Sequence, residues 1–495
     1  MLAQSQIAPP SGLTFVPIGP ELILVGPALV LLLMDALRPG EDQLPLVGLS
    51  LAGIIGAAAW SLHLWTWVER PDSAATALGG MVAADRYAVY LRLVILGVAA
   101  VSVLLSHHYL ERAGEERGEY YPLLLFATAG MTLIVAAADL IVVFLALEIL
   151  SLSLYLMTGF SFRRVASAEA SMKYFLLGAF SSAFFLYGIA LVYGAARTTN
   201  LTGIAGNLSG TVGSTALALG GAGLLATGFA FKVAAVPFHM WTPDAYQGAP
   251  TCVTGFMAAG TKVAAFGAFL RVFDVGLAPL VWDWRPFVAI LAAVTMAVGS
   301  LLAIAQTDVK RMLAYSSIAH AGFILVGVSA GSQQGIRGAM FYLVAYPVMI
   351  LGAFGVVILV SVRGERHTSL ASYAGLARRN PFLAAILALF LLSLAGIPPT
   401  VGFIAKVAVF APAIQAGYWP LVLTAVVASV IAAFFYIRVI VLMYMQDPAE
   451  AEAGPIALPP VGRLAVAIPA LLTVLFGVLP ALVFTFLDSA AVIKF

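Results

Sequence analysis

Four lysines, Lys173, Lys232, Lys262 and Lys406, and one glutamate, Glu148, stand inside long apolar stretches of this 495-residue chain. Of nineteen arginines only Arg92 and Arg438 do so, both near the end of a stretch, where a long side chain reaches the interface by snorkelling. The separation is chemical. Arginine stays protonated under all working conditions, whereas a lysine's protonation responds readily to burial, so only lysine can release and retake a proton. Placing an ammonium at the centre of a bilayer costs roughly 2.5 to 3.5 kcal/mol on insertion scales, which makes an intramembrane lysine a functional-site hypothesis. Glu148, in FLALEILSLSLYLM, is the sole carboxylate deep in such a stretch and the natural counter-ion for a buried lysine. One such residue alone has the alternative reading of a structural ion pair. Four lysines with a glutamate read as a proton relay.

Two histidines extend the pattern. His239 lies on the second half of a proline-broken span and His320 in YSSIAHAGF, so each can bridge a proton path between lysines, or else be a satisfied core histidine. His63, His107, His108 and His367 fall at helix ends or in loops, so no two mid-span pairs face each other as a bis-histidine haem site requires. The single cysteine, Cys252, excludes a disulfide framework and a self-contained iron–sulfur site. No phosphate-binding, dinucleotide or zinc motif has supporting context, so the chain itself is assigned no catalytic, cofactor, metal or nucleic-acid site.

The elements that position these residues follow from composition. At 62% hydrophobic and 10% charged, with mean hydropathy +1.03, the chain has more apolar surface than a soluble core can hide. It is an all-α polytopic membrane protein with about fourteen spans. The opening MLAQSQIAPPSG lacks the basic region of a signal peptide, so the first span is expected to stay in the protein. The seventh span, 216–247, and the twelfth, 382–416, exceed the roughly 17 to 25 residues of a straight crossing, and both hold prolines where the excess begins. Pro237, Pro398 and Pro399 are therefore helix breaks, with the helix carrying Lys232 ending just before Pro237. Broken helices persist at membrane depth where they line protein or a wet cavity. The stretch 200–214, rich in Gly, Thr and Ser, and the acidic stretch 447–460 read as loops.

An internal repeat underlies the middle. Asp139 matches Asp308, MKYFL at 172–176 matches MFYLV at 340–344, and AVPF at 235–238 matches GIPP at 396–399, with offsets of 169, 168 and 161 residues. Five-span units, spans 4–8 and 9–13, must lie in opposite orientation, and inverted repeats with broken helices in equivalent places are a transporter signature. The organisation is residues 1–120 as three N-terminal spans, 121–273 as the first repeat, 274–446 as the second, and 447–495 as an acidic loop with a last span. Loops after odd-numbered spans carry twelve Lys and Arg, including Lys310 and Arg311, against six after even-numbered ones, including Arg271. That bias puts odd loops in the cytoplasm and both termini on the outer side of the inner membrane.

The segments FLALEILSLSLYLMTGF, EASMKYFLLGAFSSAFFLYG, FKVAAVPFHMWTPDAYQGAPT, DVKRMLAYSSIAHAGF and AGIPPTVGFIAKV resemble the antiporter-like membrane subunits of respiratory complex I, the N type most closely, from Glu21 onward. Glu148 matches the family's fifth-helix glutamate, Lys232, Lys262 and Lys406 its seventh-, eighth- and twelfth-helix lysines, and Lys173 the sixth-helix lysine of the N type. The sister M type has glutamate at the Lys406 position, and the L type continues into a lateral helix where this sequence stops at Phe495. The resemblance implies a proton-translocating subunit without redox centres. NAD, FMN, iron–sulfur clusters and quinone would belong to partner subunits, and the neighbours would be of K, M, A and J type.

The implied path runs from Lys232, held by Glu148, through water to Lys262 if that pairing loosens, then by His320 to Lys406. A first half-channel at PFHMWTPDAYQ would open to the cytoplasm and a second at PPTVGFIAK to the outside. A subunit of a multisubunit cation/proton antiporter or of a membrane-bound hydrogenase would share this fold and these lysines.

Overall fold

A computed structural model describes residues 15–37, 44–69, 76–210, 215–361, 365, 368–448, 456 and 458–493. Three helices come first: α1 (Gly19–Leu37), α2 (Leu44–Trp67) and, after a two-stranded hairpin β1 (Thr76–Ala77) and β2 (Val82–Ala83), α3 (Arg86–Ala113). The first repeat comprises α4 (Tyr120–Ala136), α5 (Leu140–Thr158), α6 (Val165–Ala196), α7 (Leu201–Ser209), α8 (Thr215–Val233), α9 (Trp241–Gly248) and α10 (Thr251–Arg271). The second comprises α11 (Val281–Ile304), α12 (Val309–Ser329), α13 (Gln333–Val360), α14 (Leu376–Arg379), α15 (Pro381–Ala395), α16 (Val401–Gln415) and α17 (Trp419–Met445), followed by α18 (Pro460–Val478) and α19 (Ala481–Ala490). Among the described residues twelve helices are long and apolar enough to cross a membrane; α4 and the pair α15 and α16 supply two further crossings. Helices dominate because every backbone amide must find its partner within the segment once water is excluded.

Backbone geometry repeats at one offset. Leu140 N donates to Thr199 O (2.9 Å) and Leu201 N to Ala138 O (2.9 Å); 169 positions on, Val309 N donates to Thr368 O (2.7 Å) and Leu370 N to Thr307 O (2.8 Å). Asp139 and Asp308 cap α5 and α12 by accepting from Ile141 N and Arg311 N. Close approaches match too: a Cβ on Gly130 would stand 2.7 Å from Leu150 N, and one on Gly299 2.6 Å from Ala319 N, so both helix hairpins close through glycine. Each unit crosses five times, so the two copies stand inverted.

The repeats share one interior. All 21 residues of α10 are buried, and α12 and α13 are nearly so, whereas α6 and α17 turn most of their apolar surface outward. Both broken spans break where the prolines stand. In the first, α8 ends at Val233, Ala234 takes φ +62° and the Val236–Pro237 bond is cis; in the second, α15 ends at Ala395, Gly396 takes φ +90° and Pro398–Pro399 is cis.

Several expectations are corrected here. The stretch 200–214 contains a helix: Leu201 and Ile204 bury in α7 and Asn200 caps it, so apolar burial overrides a loop-like composition, while 211–214 lie outside the described residues. The last span divides at Leu479 and Pro480 into α18 and α19, and much of 447–460 is outside the described residues. Arg92 does not snorkel; it is buried and its Nε donates to Glu21 Oε1 (3.0 Å), which is also buried. Arg271 and Lys310, counted as loop charges, are buried as well, which removes one residue from each side of the orientation count.

Arg271 grips Asp85 in a two-bond fork, both 2.8 Å, and adds Val135 O (3.1 Å). Removing one member of such a buried pair costs about 3 to 5 kcal/mol, since the other charge is left without compensation. Arg271→Met is therefore expected to reduce the recovered, folded protein sharply in a detergent melting assay. Arg271→Met combined with Asp85→Asn should recover part of that loss. Equal melting of single variant and wild type would show that the pair adds nothing.

Candidate functional site

At the first break the C-terminal carbonyls of α8 lack helical partners, and this is where cations gather. Trp241 Nε1 donates to Phe231 O (2.9 Å), and Lys262, reaching across from α10, donates to Val233 O (3.1 Å). Lys232 itself lies in the last turn of α8, buried, with its Nζ donating to Ser151 Oγ (2.6 Å) on α5 and the rings of Tyr155 and Tyr174 5.6 and 5.8 Å away.

Glu148 is one turn before Ser151 on the same face of α5. Its carboxylate turns to α6, accepting from Ser182 Oγ, and stays partly exposed on the outer surface. The expected direct pair between Glu148 and Lys232 is thus replaced by an arrangement in which the serine hydroxyl sits against the ammonium. The charge of Glu148 lies near Lys232 without locking it.

From Lys262 the structure leads along one face of α12. Lys262 Nζ donates to Ser317 O (2.6 Å). Three residues on, buried His320 meets Tyr342 Oη through Nδ1 (2.8 Å) and Tyr436 Oη through Nε2 (3.4 Å), and Tyr436 is bonded in turn to Ser316 Oγ. Three residues further, the ring of Phe323 lies 4.8 Å from Lys406 Nζ. Residues three apart share a helix face, so α12 joins the two lysines through a histidine.

Lys406 sits on α16 and donates back across the second break to Ala395 O (2.7 Å), the last residue of α15. Gly396, in the left-handed region, gives the lysine room: a Cβ there would stand 2.9 Å from Lys406 Cδ. Lys262 and Lys406 are therefore solvated by carbonyl dipoles instead of carboxylates. A lysine paired with a buried carboxylate strands an anion when it gives up its proton, whereas one held by neutral dipoles does not.

Two expected members lie apart from this line. Lys173 is 44% exposed and pairs with Glu169 (2.7 Å) and Asp244 (3.0 Å), the latter also holding Arg311 (2.8 Å); its place near the start of an outward-facing helix explains why an apolar context does not bury it. His239 is in the irregular segment between α8 and α9 instead of on a helical half, partly buried, and its Nδ1 meets no partner among the described residues. The sequence did not single out Ser151, Ser182, Tyr342 or Tyr436. Their only signal is a hydroxyl on a neighbouring helix, and apolar spans of this chain hold many such residues. No group of three or more His, Cys, Asp and Glu among the described residues is placed to hold a metal ion.

Residues 137–432 match a family model described as NADH:quinone oxidoreductase/Mrp antiporter, TM. A NADH-quinone oxidoreductase subunit N from Trichlorobacter lovleyi is 42% identical over 472 residues, covering 95% of this chain and 96% of its own. A chain in respiratory complex I from Thermus thermophilus with bound aureothin superposes with TM-score 0.79 at 36% identity, over 94% of this chain and 98% of that one. A chain of the archaeal membrane-bound sulfane sulfur reductase has the same fold, with TM-score 0.85 at 24% identity over 97% of each.

Proposed function

The chain belongs to the NADH:quinone oxidoreductase/Mrp antiporter membrane family, and on that premise we propose that it is a proton-translocating membrane-arm subunit of N type, working through a Glu148, Lys232, Lys262, His320 and Lys406 relay. The observation that carries this reading is the shared face of α12, on which Ser317, His320 and Phe323 join Lys262 to Lys406. A proton held on Lys232 passes to Lys262 at the first break when the influence of Glu148 on Lys232 weakens. It then crosses by His320 and its tyrosine hydroxyls to Lys406 at the second break. Lys173 and His239 serve at the entrance: Lys173 shares Asp244 of α9 with Arg311, and His239 lines the first half-channel.

The remaining parts of the reading follow from the family. Oxidation of NADH and reduction of quinone, with FMN and iron–sulfur clusters, take place in partner subunits, and the membrane neighbours are of K, M, A and J type. The protein is multi-pass in the cytoplasmic membrane, with odd-numbered loops inside and both termini outside. Its units are 1–120, 121–273, 274–446 and 447–495, the two repeats meeting at the lysine line.

Copurification in mild detergent tests the assembly: subunits of an NADH:quinone oxidoreductase are expected, and recovery with a cation/proton antiporter set instead would overturn it. The charge on Glu148 has its own test. Glu148→Gln removes the negative charge near Lys232 and should cut proton-coupled turnover about tenfold or more, while Glu148→Asp keeps the charge and retains part of the rate. Turnover of the glutamine variant equal to wild type in membrane vesicles would mean that Glu148 does not influence the relay.

A further inference from the structure

Outside the lysine line and the Arg271–Asp85 and Arg92–Glu21 pairs, the interior holds a further anchored charge. Glu365, which follows α13 in the chain, has a 6% exposed side chain and accepts from Thr251 N (2.8 Å), Thr251 Oγ1 (2.8 Å), Tyr109 Oη (2.7 Å) and Lys310 Nζ (2.7 Å), with Arg164 3.9 Å away. Thr251 is the first residue of α10, so the carboxylate sits on that helix's free amides, where the helix dipole favours an anion. Lys310 has no exposed side-chain surface and also donates to Ala249 O (2.6 Å), at the C-terminal end of α9. One charge from the second repeat therefore ties α3, α12, the start of the helix carrying Lys262 and the end of the short half of the first broken span.

The repeat gives this cluster a comparison within the molecule. Where backbone geometry agrees between the copies, the cluster does not: at the offset of 169 the counterpart of Lys310 is Ile141 and that of Glu365 is Ala196, neither of which carries a charge. A device needed only to build a five-helix unit would be expected in both copies. This one stands only over the helix whose lysine meets both repeats.

We propose that Glu365 is a positioning residue for proton transfer, fixing α10 and, through Lys310, the end of α9, so that Lys262 stays against both Val233 O and Ser317 O. The proposal rests on Lys262 being a relay station. Burial alone would push the Glu365 carboxyl up, but the Lys310 ammonium, hydrogen bonds from Lys310 and Tyr109, and Arg164 hold it below the ordinary 4.5. With the folded value depressed, its stabilisation is fully present above about pH 4.5 and is lost as pH falls through the lowered value. The groups facing this pair, Arg164, Tyr109, Cys252 and Asp308, do not reverse that sign. Glu365 therefore stays ionised across the working range, and any change in the pH profile of a Glu365 variant above pH 6 reports the groups it positions.

The test uses the whole complex in proteoliposomes, with proton-to-electron ratio and pH profile measured per assembled complex. Glu365→Gln is expected to lower pumping by between about tenfold and a hundredfold, the range a displacement near 1 Å brings at a reacting group, and to shift the profile, with Glu365→Asp partly restoring both. Should Glu365→Gln fail to assemble, Glu365→Gln with Lys310→Met leaves no buried ammonium without its carboxylate, Arg164 being 29% exposed, and carries the measurement. It is expected to assemble yet pump poorly. A wild-type ratio and profile in the assembled glutamine variant, or in the double variant, overturns the proposal. Lys262→Ala measured alongside separates the two ideas: if it also pumps normally the relay itself is wrong, and if only the Glu365 variants do, positioning alone is.

Discussion

Replacing Lys262 with alanine leaves a complex that assembles on a native gel but loses proton pumping by about a hundredfold or more, the size of effect that a positioned proton-transfer group contributes. The residue touches both halves of the machinery, with Val233 O at the end of the first broken helix and Ser317 O on the face leading to His320. Without an amine there, the group that meets both Val233 O and Ser317 O is gone. Assembly should survive because no carboxylate among the described residues pairs with Lys262. The two carbonyls it leaves can be met by water in the vacated space, which is polar and large enough once the side chain is gone. An unchanged proton-to-electron ratio in the assembled alanine variant would remove Lys262 from the path.

Lys406→Arg is expected to be nearly as damaging as Lys406→Met, although only arginine keeps the charge. If Lys406 acted as a fixed charge shaping the outer half-channel, arginine would serve with modest loss, because the field persists. If it must release its proton in every cycle, arginine fails, since its guanidinium does not deprotonate in proteins. The site sharpens this choice. Lys406 is held by Ala395 O and the face of Phe323, with no carboxylate in contact among the described residues, so losing the charge strands no buried anion. Arginine also needs more room than Gly396 leaves beside the lysine stem, so methionine, uncharged and of similar length, is the control for packing. Both variants should assemble and both should fall by about a hundredfold in pumping. Near-normal pumping by the arginine variant would count against titration at this position.

The contrast between Lys406 and Lys310 shows where residue type alone misleads. Both are buried lysines, yet Lys310 is locked to Glu365 while Lys406 faces only dipoles and a ring. From the chain, Lys310 in DVKRM looked like a loop charge and Lys406 like a membrane charge. Lys173 misled in the opposite sense, since its apolar neighbours belong to a helix facing outward.

The sequence by itself determined the membrane class, the crossings, both helix breaks and the repeat. These depend on local composition and on proline's missing donor, which act within a few residues of chain. It also singled out Lys232, Lys262, Lys406 and His320, because a charged or titratable group in an apolar run stands out without knowledge of its neighbours. Only the tertiary structure decided what each charge meets. Whether Lys232 meets Glu148 or Ser151, whether Arg92 reaches the interface or Glu21, and where Glu365 lands depend on the packing of helices tens to hundreds of residues apart. Hydrogen bonds need a separation of about 3 Å, so a shift of one helical turn, about 5.4 Å, changes the partner while leaving the hydrophobic pattern the same.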